Sequence, residues 1–268
     1  MKIALCQFMV EESKIQNLQK AVEFINSAAQ AGAELAVLPE MFVCPYQPEL
    51  FPQYAEEASG LICRTLSQMA QKNQITLVAG SVPEKDGNKL YNTSYIFDRT
   101  GQLLGKHRKV HLFDVDLSDG VKVQESATLS PGHQATVVKT SWGKLGTAIC
   151  YDLRFPELFR QMTLKGASLI AVPAAFNSVT GPAHWEITLR ARALDNQLFV
   201  AAVSPACNPR AAYVPYGHSI LVDPWGKILV EAGTEEELLL AEVDWDYLEK
   251  VRQELPLLQH RRQDLYIY

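Results

Sequence analysis

The sequence lacks a long uninterrupted run of apolar residues, and its first eight residues carry one charge and only a short apolar stretch. A membrane-spanning helix needs about 20 consecutive apolar residues, and a signal peptide needs a longer apolar core than this one. Runs of Lys and Arg are also lacking, and the formal net charge is −5. We therefore expect neither a membrane protein nor a nucleic-acid-binding protein.

Cysteine pairs of the Cys-x-x-Cys type are also lacking. The five cysteines are an odd number and lie far apart in the sequence, which favours a reducing cytoplasm over a disulfide framework. The spacing of possible metal ligands is also poor, because His107 and His111 are four positions apart but no Cys or carboxylate pattern completes a site. We therefore expect no metal centre and two solvated loop histidines.

What the sequence does contain is enough apolar residues for a large core, at 47%. Strand and helix patterns alternate along the chain, and no low-complexity linker divides it, so we expect a single domain over residues 1–268. The segment 106–134 is predicted to be irregular. Predicted helices cover 13–31, 59–72, 156–165, 183–195 and 244–254, and predicted strands cover 2–8, 35–38, 75–82, 91–98, 136–140, 144–150, 168–172, 198–204, 217–223, 227–231 and 238–243.

The two halves of the chain resemble each other weakly, in four matches that stay in order. The halves then form two similar sheets, and each sheet needs helices on one face and the other sheet on its second face. We predict an α/β fold, a four-layer α-β-β-α sandwich with an internal pseudo-twofold repeat. The matched segments are 4–7 with 148–151, 32–40 with 166–174, 73–74 with 196–197, and 91–101 with 216–226.

The stretch 143–157 is the most informative part of the sequence. Its first half is small and apolar, as in a buried strand, and Pro156 suits the first turn of a following helix. Cys150 thus lies where a strand gives way to a helix, a position that serine hydrolases use for the nucleophile. The alternative, that Cys150 is a small core residue, stays open on this stretch alone.

An amide hydrolase also needs a proton shuttle and a cation for the oxyanion. Glu40 follows the predicted strand 35–38. The internal repeat matches this strand to the one at 168–172, which comes after Cys150 in the second half of the chain. Because the repeat brings equivalent strand ends together, the side chains of Glu40 and Cys150 can face one cleft. The segment 106–114 supplies a cation, Lys109. No His lies in a papain-like Cys-His-Asn pattern, so the shuttle must be a carboxylate.

Three segments, 38–40, 108–112 and 148–157, resemble the signature blocks of the nitrilase superfamily of carbon–nitrogen hydrolases. The resemblance runs nearly end to end and implies the same α-β-β-α sandwich. It implies that Glu40 is the general base, Lys109 the oxyanion cation and Cys150 the nucleophile. It further implies that Glu125 is the second active-site glutamate, which orients the lysine and the substrate.

Within the superfamily, segments 45–56, 111–116 and 180–197 most resemble the omega-amidase branch. That branch hydrolyses the terminal amide of α-ketoglutaramate, α-ketosuccinamate and succinamate. Such substrates carry a distal carboxylate, for which Arg154 is a bidentate candidate. Tyr46 and Phe176 are candidates for the pocket wall. Arg154 could instead pair with Asp152, Glu157 or a partner subunit.

The resemblance implies a thioester mechanism in which Lys109 and the Tyr151 N–H stabilise the oxyanion, with no metal or organic cofactor. The superfamily that the sequence resembles forms dimers, and the tail 255–268 has many apolar side chains for a free terminus. We therefore expect a homodimer. We expect the helix after Cys150 and the tail at that interface. Alternatives are a deaminated-glutathione amidase, an N-carbamoyl-amine hydrolase, a less favoured nitrilase, or a catalytically silent interaction protein on this fold.

Overall fold

The computed structural model describes residues 1–118 and 120–266. Its strands and helices alternate, as the periodicity predicts. The helices are α1 Lys14–Gln30, α2 Phe51–Tyr54, α3 Leu61–Asn73, α4 Pro156–Leu164, α5 Gly181–Asn196 and α6 Trp245–Glu254. The strands are β1 Lys2–Gln7, β2 Leu35–Val37, β3 Thr76–Val78, β4 Val82–Asp86, β5 Lys89–Phe97, β6 Leu103–Arg108, β7 Asp114–Asp116, β8 Lys122–Gln124, β9 Thr136–Thr140, β10 Gly143–Thr147, β11 Leu169–Pro173, β12 Phe199–Val203, β13 Ile220–Val222, β14 Ile228–Glu231 and β15 Glu237–Glu242.

Two sheets have the same strand directions, which confirms the internal repeat. In the first sheet β1, β2 and β3 are parallel, and β15 and β5 flank them in antiparallel orientation. In the second sheet β10, β11 and β12 are parallel, and β9 and β13 flank them in the same way. The last strand of the chain thus returns to the first sheet and completes its pattern.

The side chains of each central strand alternate between two cores. Ala4 and Cys6 pack with the buried face of α1, whereas Ile3 and Leu5 pack between the sheets. In the second sheet, Ile170 faces the helices and Leu169 the space between the sheets. Because successive strand residues point to opposite faces, this alternation produces the four-layer α-β-β-α sandwich predicted from the sequence.

The helix ends also repeat. Gln74 after α3 and Gln197 after α5 both adopt a left-handed backbone, with φ of 52° and 48°. The amide of each capping residue donates to carbonyls of the preceding helical turn, which satisfies acceptors that a helix end leaves open. The Asn-Gln match between the halves is therefore a pair of equivalent helix caps.

Two predictions in the segment 106–134 were wrong. Residues up to Arg108 belong to β6, and β7 and β8 form a small hairpin within the segment. His107 is fully buried rather than solvated. The charged residues of β6 are accommodated because β4 supplies the buried Glu84, which pairs with Lys106 and Arg108.

None of the helices in the described part of the chain is long and apolar enough to cross a bilayer.

Candidate active site

Cys150 begins a short 3-10 turn, Cys150–Arg154, between β10 and α4. Its φ of +41° lies in the left-handed region, where a non-glycine residue carries strain that is typical of functional turns. The residue is only 6% exposed. Its sulfur contacts the Glu40 carboxylate and the Ala175 N–H, and burial, followed by the charge of Glu40, raises the pKa of the thiol.

Glu40 follows β2 and is buried in contact with the thiol. Its Oε1 accepts from Asn92 Nδ2 at 2.7 Å and from Lys109 Nζ at 2.9 Å, and its Oε2 accepts from the Ala175 N–H at 2.8 Å. Burial raises the pKa of Glu40, Lys109 opposes that rise, and nearby Glu125 adds to it. A carboxylate with a raised pKa is suited to accept and return a proton near neutral pH.

Lys109 follows β6 and uses its three N–H groups within the site. Its Nζ lies 2.9 Å from Glu40 Oε1, 3.0 Å from Glu125 Oε1 and 3.2 Å from the Tyr46 hydroxyl. Burial lowers the pKa of Lys109, but the charges of Glu125 and Glu40 outweigh this effect and raise it. The ammonium is therefore retained, fully desolvated, beside the thiol.

Glu125 and Tyr46 complete the buried charge network. Glu125 Oε2 accepts from the Phe113 N–H at 2.7 Å, and its Oε1 accepts from the Tyr46 hydroxyl at 2.7 Å. Glu125 therefore fixes the position of Lys109. Tyr46, predicted as a pocket wall, has its hydroxyl inside the network, and the residue lines a neighbouring cavity.

Asp152 is a buried residue of the site for which the sequence predicted only a possible pairing with Arg154. Its Oδ1 accepts from His111 Nδ1 and from the Val110 and His111 backbone N–H groups, at 2.8 to 3.2 Å. Its Oδ2 lies 3.0 Å from both His107 Nε2 and the Ile149 N–H. Asp152 thus joins the turn that carries Cys150 to the segment that carries Lys109.

The Asp152 carboxylate holds both histidines. His107 lies on β6 and is buried, whereas His111 lies in the loop after β6 and is partly exposed. Although burial opposes the change, hydrogen bonds from His107 and His111 lower the pKa of Asp152. The His111 ring also stacks on Phe155, with 3.6 Å between the ring centroids. The sequence did not predict this role of Asp152, because its histidine partners lie far earlier in the chain. The closely spaced pair His107 and His111 was the one sequence feature that pointed to a shared partner.

Arg154, Phe176 and Tyr151 line a narrow recess at the thiol. Arg154 Nη1 lies 3.2 Å from His184 Nδ1, and its guanidinium lies 5.0 Å from the centre of the Phe176 ring. Asp152, one of the alternative partners considered for Arg154, is occupied by other donors. The recess brings Phe176 together with two predicted residues of the Cys150 turn, Tyr151 and Arg154.

No group of three or more His, Cys, Asp or Glu side chains within residues 1–118 and 120–266 is arranged to hold a metal ion.

The fold and this buried Glu–Lys–Glu network beside a cysteine define a class of hydrolase, and comparison with known proteins identifies the family. The family model described as carbon-nitrogen hydrolase matches residues 2–253. The chain belongs to the carbon–nitrogen hydrolase family. The resemblance to the nitrilase superfamily seen in the sequence is thereby confirmed.

Individual relatives are similar over almost their whole length. The chain is 48% identical to omega-amidase NIT2 of Xenopus tropicalis and 44% identical to omega-amidase NIT2 of Homo sapiens, each over 99% of this chain and 96% of the relative. The crystal structure of Saccharomyces cerevisiae Nit3, a member of branch 10 of the nitrilase superfamily, has a TM-score of 0.90 and 45% identity, and the match covers 98% of this chain and 96% of that one.

A mutant amidase from Nesterenkonia sp. is a more distant solved relative. It shares 29% identity with this chain at a TM-score of 0.84, and the match covers 99% of this chain and 95% of that one. Its structure shows the acetamide moiety of fluoroacetamide added covalently at the active-site cysteine.

Proposed function

We propose that the protein is a cysteine-dependent amidase that hydrolyses the terminal amide of small ω-amide dicarboxylates, such as α-ketoglutaramate, α-ketosuccinamate and succinamate, to the acid and ammonia. The observation that carries this proposal is the buried network of Glu40, Lys109 and Glu125 against Cys150, with Arg154 bordering the recess at the thiol. The omega-amidases among the relatives support the choice of substrate class.

In the first step Glu40 accepts the thiol proton while the Cys150 sulfur attacks the amide carbon. This assignment suits the pair because burial raises both pKa values. An isolated thiolate would be costly in this site. A proton passed directly between contacting groups avoids such a state and keeps the net charge of the site constant.

The tetrahedral oxyanion is stabilised by Lys109 and by the Tyr151 N–H, which follows the nucleophile. All three N–H groups of Lys109 have acceptors at rest. Once Glu40 is protonated, its attraction for Lys109 weakens, so one N–H can turn to the oxyanion. Glu125 holds the ammonium in place during this exchange.

Collapse of the intermediate breaks the C–N bond, and Glu40 returns its proton to the departing ammonia. A thioester on Cys150 remains. Glu40 then takes a proton from a water molecule that attacks the thioester, and the sulfur leaves with that proton as the acid is released. Each step uses groups already present, so the mechanism requires no metal or organic cofactor.

Arg154 binds the distal carboxylate in this proposal. Its guanidinium has a fork geometry that matches a carboxylate, and at rest it contacts a histidine nitrogen rather than an acid. The recess has a volume of about 10 Å³, so it must widen to hold a four-carbon acid, and in this proposal Arg154 leaves His184 as it widens. The substrate carboxylate supplies the stronger partner that drives this movement. Phe176 then forms an apolar wall beside the acyl chain.

We further propose that residues 1–268 form a single domain that acts in the cytoplasm as a homodimer, with α4 and the tail at the interface. Apolar side chains on these elements are exposed, which favours burial against a second copy. Tyr268, counted among the tail residues, lies outside the described residues. The exposed side chains are Leu164, Leu255, Leu257, Leu265 and Tyr266.

The most informative experiment measures turnover across a substrate panel. The readout is released ammonia, or the product acid for a substrate that releases no ammonia. The panel contains α-ketoglutaramate, succinamate, deaminated glutathione, a carbamoyl amine and a nitrile. We expect the first two to have the highest kcat/KM. A clear preference for deaminated glutathione or the carbamoyl amine would move the protein to another branch of the superfamily, and turnover of none would favour a catalytically silent protein.

A further inference from the structure

Two spaces meet at the active site from different sides. The first is the narrow recess, lined by Cys150 and Arg154 but not by Glu40. The second is a cavity of about 1030 Å³, lined on its inner side by Glu40 and Tyr46 but not by Cys150. Among the residues the structure describes, Tyr213 is the one that lines both spaces. Its side chain is therefore a partition between them.

The partition is held in place at several points. The Tyr213 hydroxyl donates to the Ala175 carbonyl at 2.7 Å, and its ring lies 4.5 Å from the Tyr46 ring between centroids. The neighbouring backbone is fixed as well, because Ser178 N–H donates to Val214 O and Tyr216 N–H donates to Phe176 O. Tyr213 is thus anchored to the segment that also supplies Glu40 with the Ala175 N–H.

The proton transfer decides which side of the thiol each part of the substrate occupies. The departing nitrogen takes its proton from Glu40, so it must face Glu40 and therefore the large cavity. The acyl chain and its carboxylate must then lie in the recess with Arg154. The cavity on the Glu40 side is slightly larger than the usual ligand pocket of about 300–1,000 Å³, and its volume is far more than ammonia needs.

We propose that the large cavity is the leaving-group side of the active site and that Tyr213 is a specificity-determining residue that restricts the leaving group to ammonia. This inference rests on the proposed amidase function. A secondary amide carries an N-alkyl group, and Tyr213 blocks the path of that group into the cavity. The chemistry is otherwise unchanged: the C–S bond forms, the C–N bond breaks, the amine leaves with the Glu40 proton, and water then cleaves the thioester.

The test compares kcat/KM for succinamate and N-propylsuccinamate, measured as succinate formed. We expect wild type to prefer the primary amide strongly. Tyr213→Ala should raise the ratio of N-propylsuccinamate to succinamate by about 10-fold to 100-fold, the range that pocket contacts are worth. Tyr213→Phe loses only the hydroxyl and should leave the ratio near the wild-type value. Tyr54→Ala, which enlarges the same cavity away from the partition, should also leave it unchanged.

Adipamate, a primary amide with a longer acyl chain, tests the opposite arrangement, in which the large cavity holds the acyl chain. If Tyr213→Ala raises turnover of adipamate relative to succinamate but not that of N-propylsuccinamate, the cavity lies on the acyl side and the proposal is wrong. It is also wrong if neither ratio changes. Tyr213→Leu gives a smaller expected gain and replaces the alanine variant if the latter does not fold.

Failure of the proposed function is distinguishable from failure of this inference. If wild type does not hydrolyse succinamate, the substrate class is wrong, and the same comparison is made with butyramide and N-propylbutyramide. The expected effect of Tyr213→Ala on that pair is the same, because the partition acts on the leaving group and not on the carboxylate.

Discussion

In the proposed mechanism single buried side chains carry the chemistry, and every step depends on Cys150. Cys150→Ala should abolish ammonia release from succinamate, because the other cysteines do not contact Glu40 in the way that Cys150 does. Cys63→Ser and Cys207→Ser are matched controls at partly exposed positions and should retain activity. For each variant, kcat is measured, and thermal unfolding is measured in parallel to show that the variant is folded. A Cys150→Ala variant that keeps most of its activity would show that the nucleophile is misassigned.

In the proposed mechanism Glu40 sets the pH dependence of the reaction. The carboxyl must be ionised to accept the thiol proton, and burial raises its pKa, so ionisation is delayed to a higher pH than for a free glutamate. The acid limb of kcat/KM should therefore have a midpoint above about 4.3, the usual glutamate value. A pH profile of the folded enzyme measures this midpoint. An acid limb with a midpoint at or below the usual glutamate pKa would mean that Glu40 is not the base.

At the scale of elements, Asp152 joins the Cys150 turn to the segment that follows β6. Replacing a buried, paired carboxylate leaves its donors without a charged acceptor, so Asp152→Asn should lower the free energy of unfolding by about 3 kcal/mol at neutral pH. It should also lower kcat, because the nucleophile and Lys109 lose their common support. Urea unfolding and kinetics measure the two effects.

The pH dependence of that stability difference follows from the pKa shift. The folded-state pKa of Asp152 is lowered, so its stabilisation is present above the unfolded value of about 3.9 and is lost as the pH falls through the folded value. The difference between wild type and Asp152→Asn should therefore shrink only below about pH 4. Asp116→Asn, at an exposed ion pair, should change stability little at any pH. A similar loss in both variants would contradict the supporting role.

The same elements show what the sequence could predict. Periodicity located the long helices and the apolar strands, since each needs only local information, and the repeat gave the layer order. β4 and β6 were missed because their charged residues look solvated until Glu84 is placed opposite Arg108. Glu40, Lys109 and Cys150 were predicted as site residues from sequence blocks, whereas the burial of His107 depends on a partner distant in the chain. Tyr213 gave no sequence signal, because its role depends on two spaces that exist only in the folded protein.

At the scale of the whole molecule, the exposed apolar tail predicts a homodimer. Light scattering at micromolar concentration should give about twice the chain mass of 29.9 kDa. Leu257→Asp together with Leu265→Asp should weaken the dimer, because both side chains are exposed in the single chain and a charge at an apolar interface is costly. A wild-type protein of single-chain mass would contradict the prediction.

The proposed function is tested best by the ratio of kcat/KM for succinamate to that for butyramide, an uncharged amide of similar length, in wild type and in Arg154→Met. We expect a large ratio in wild type, because an unpaired guanidinium disfavours a substrate without a carboxylate, and a ratio near one in Arg154→Met. A wild-type ratio near one would show that the carboxylate is not recognised and would contradict the omega-amidase function. A large ratio that Arg154→Met leaves unchanged would contradict the role of Arg154.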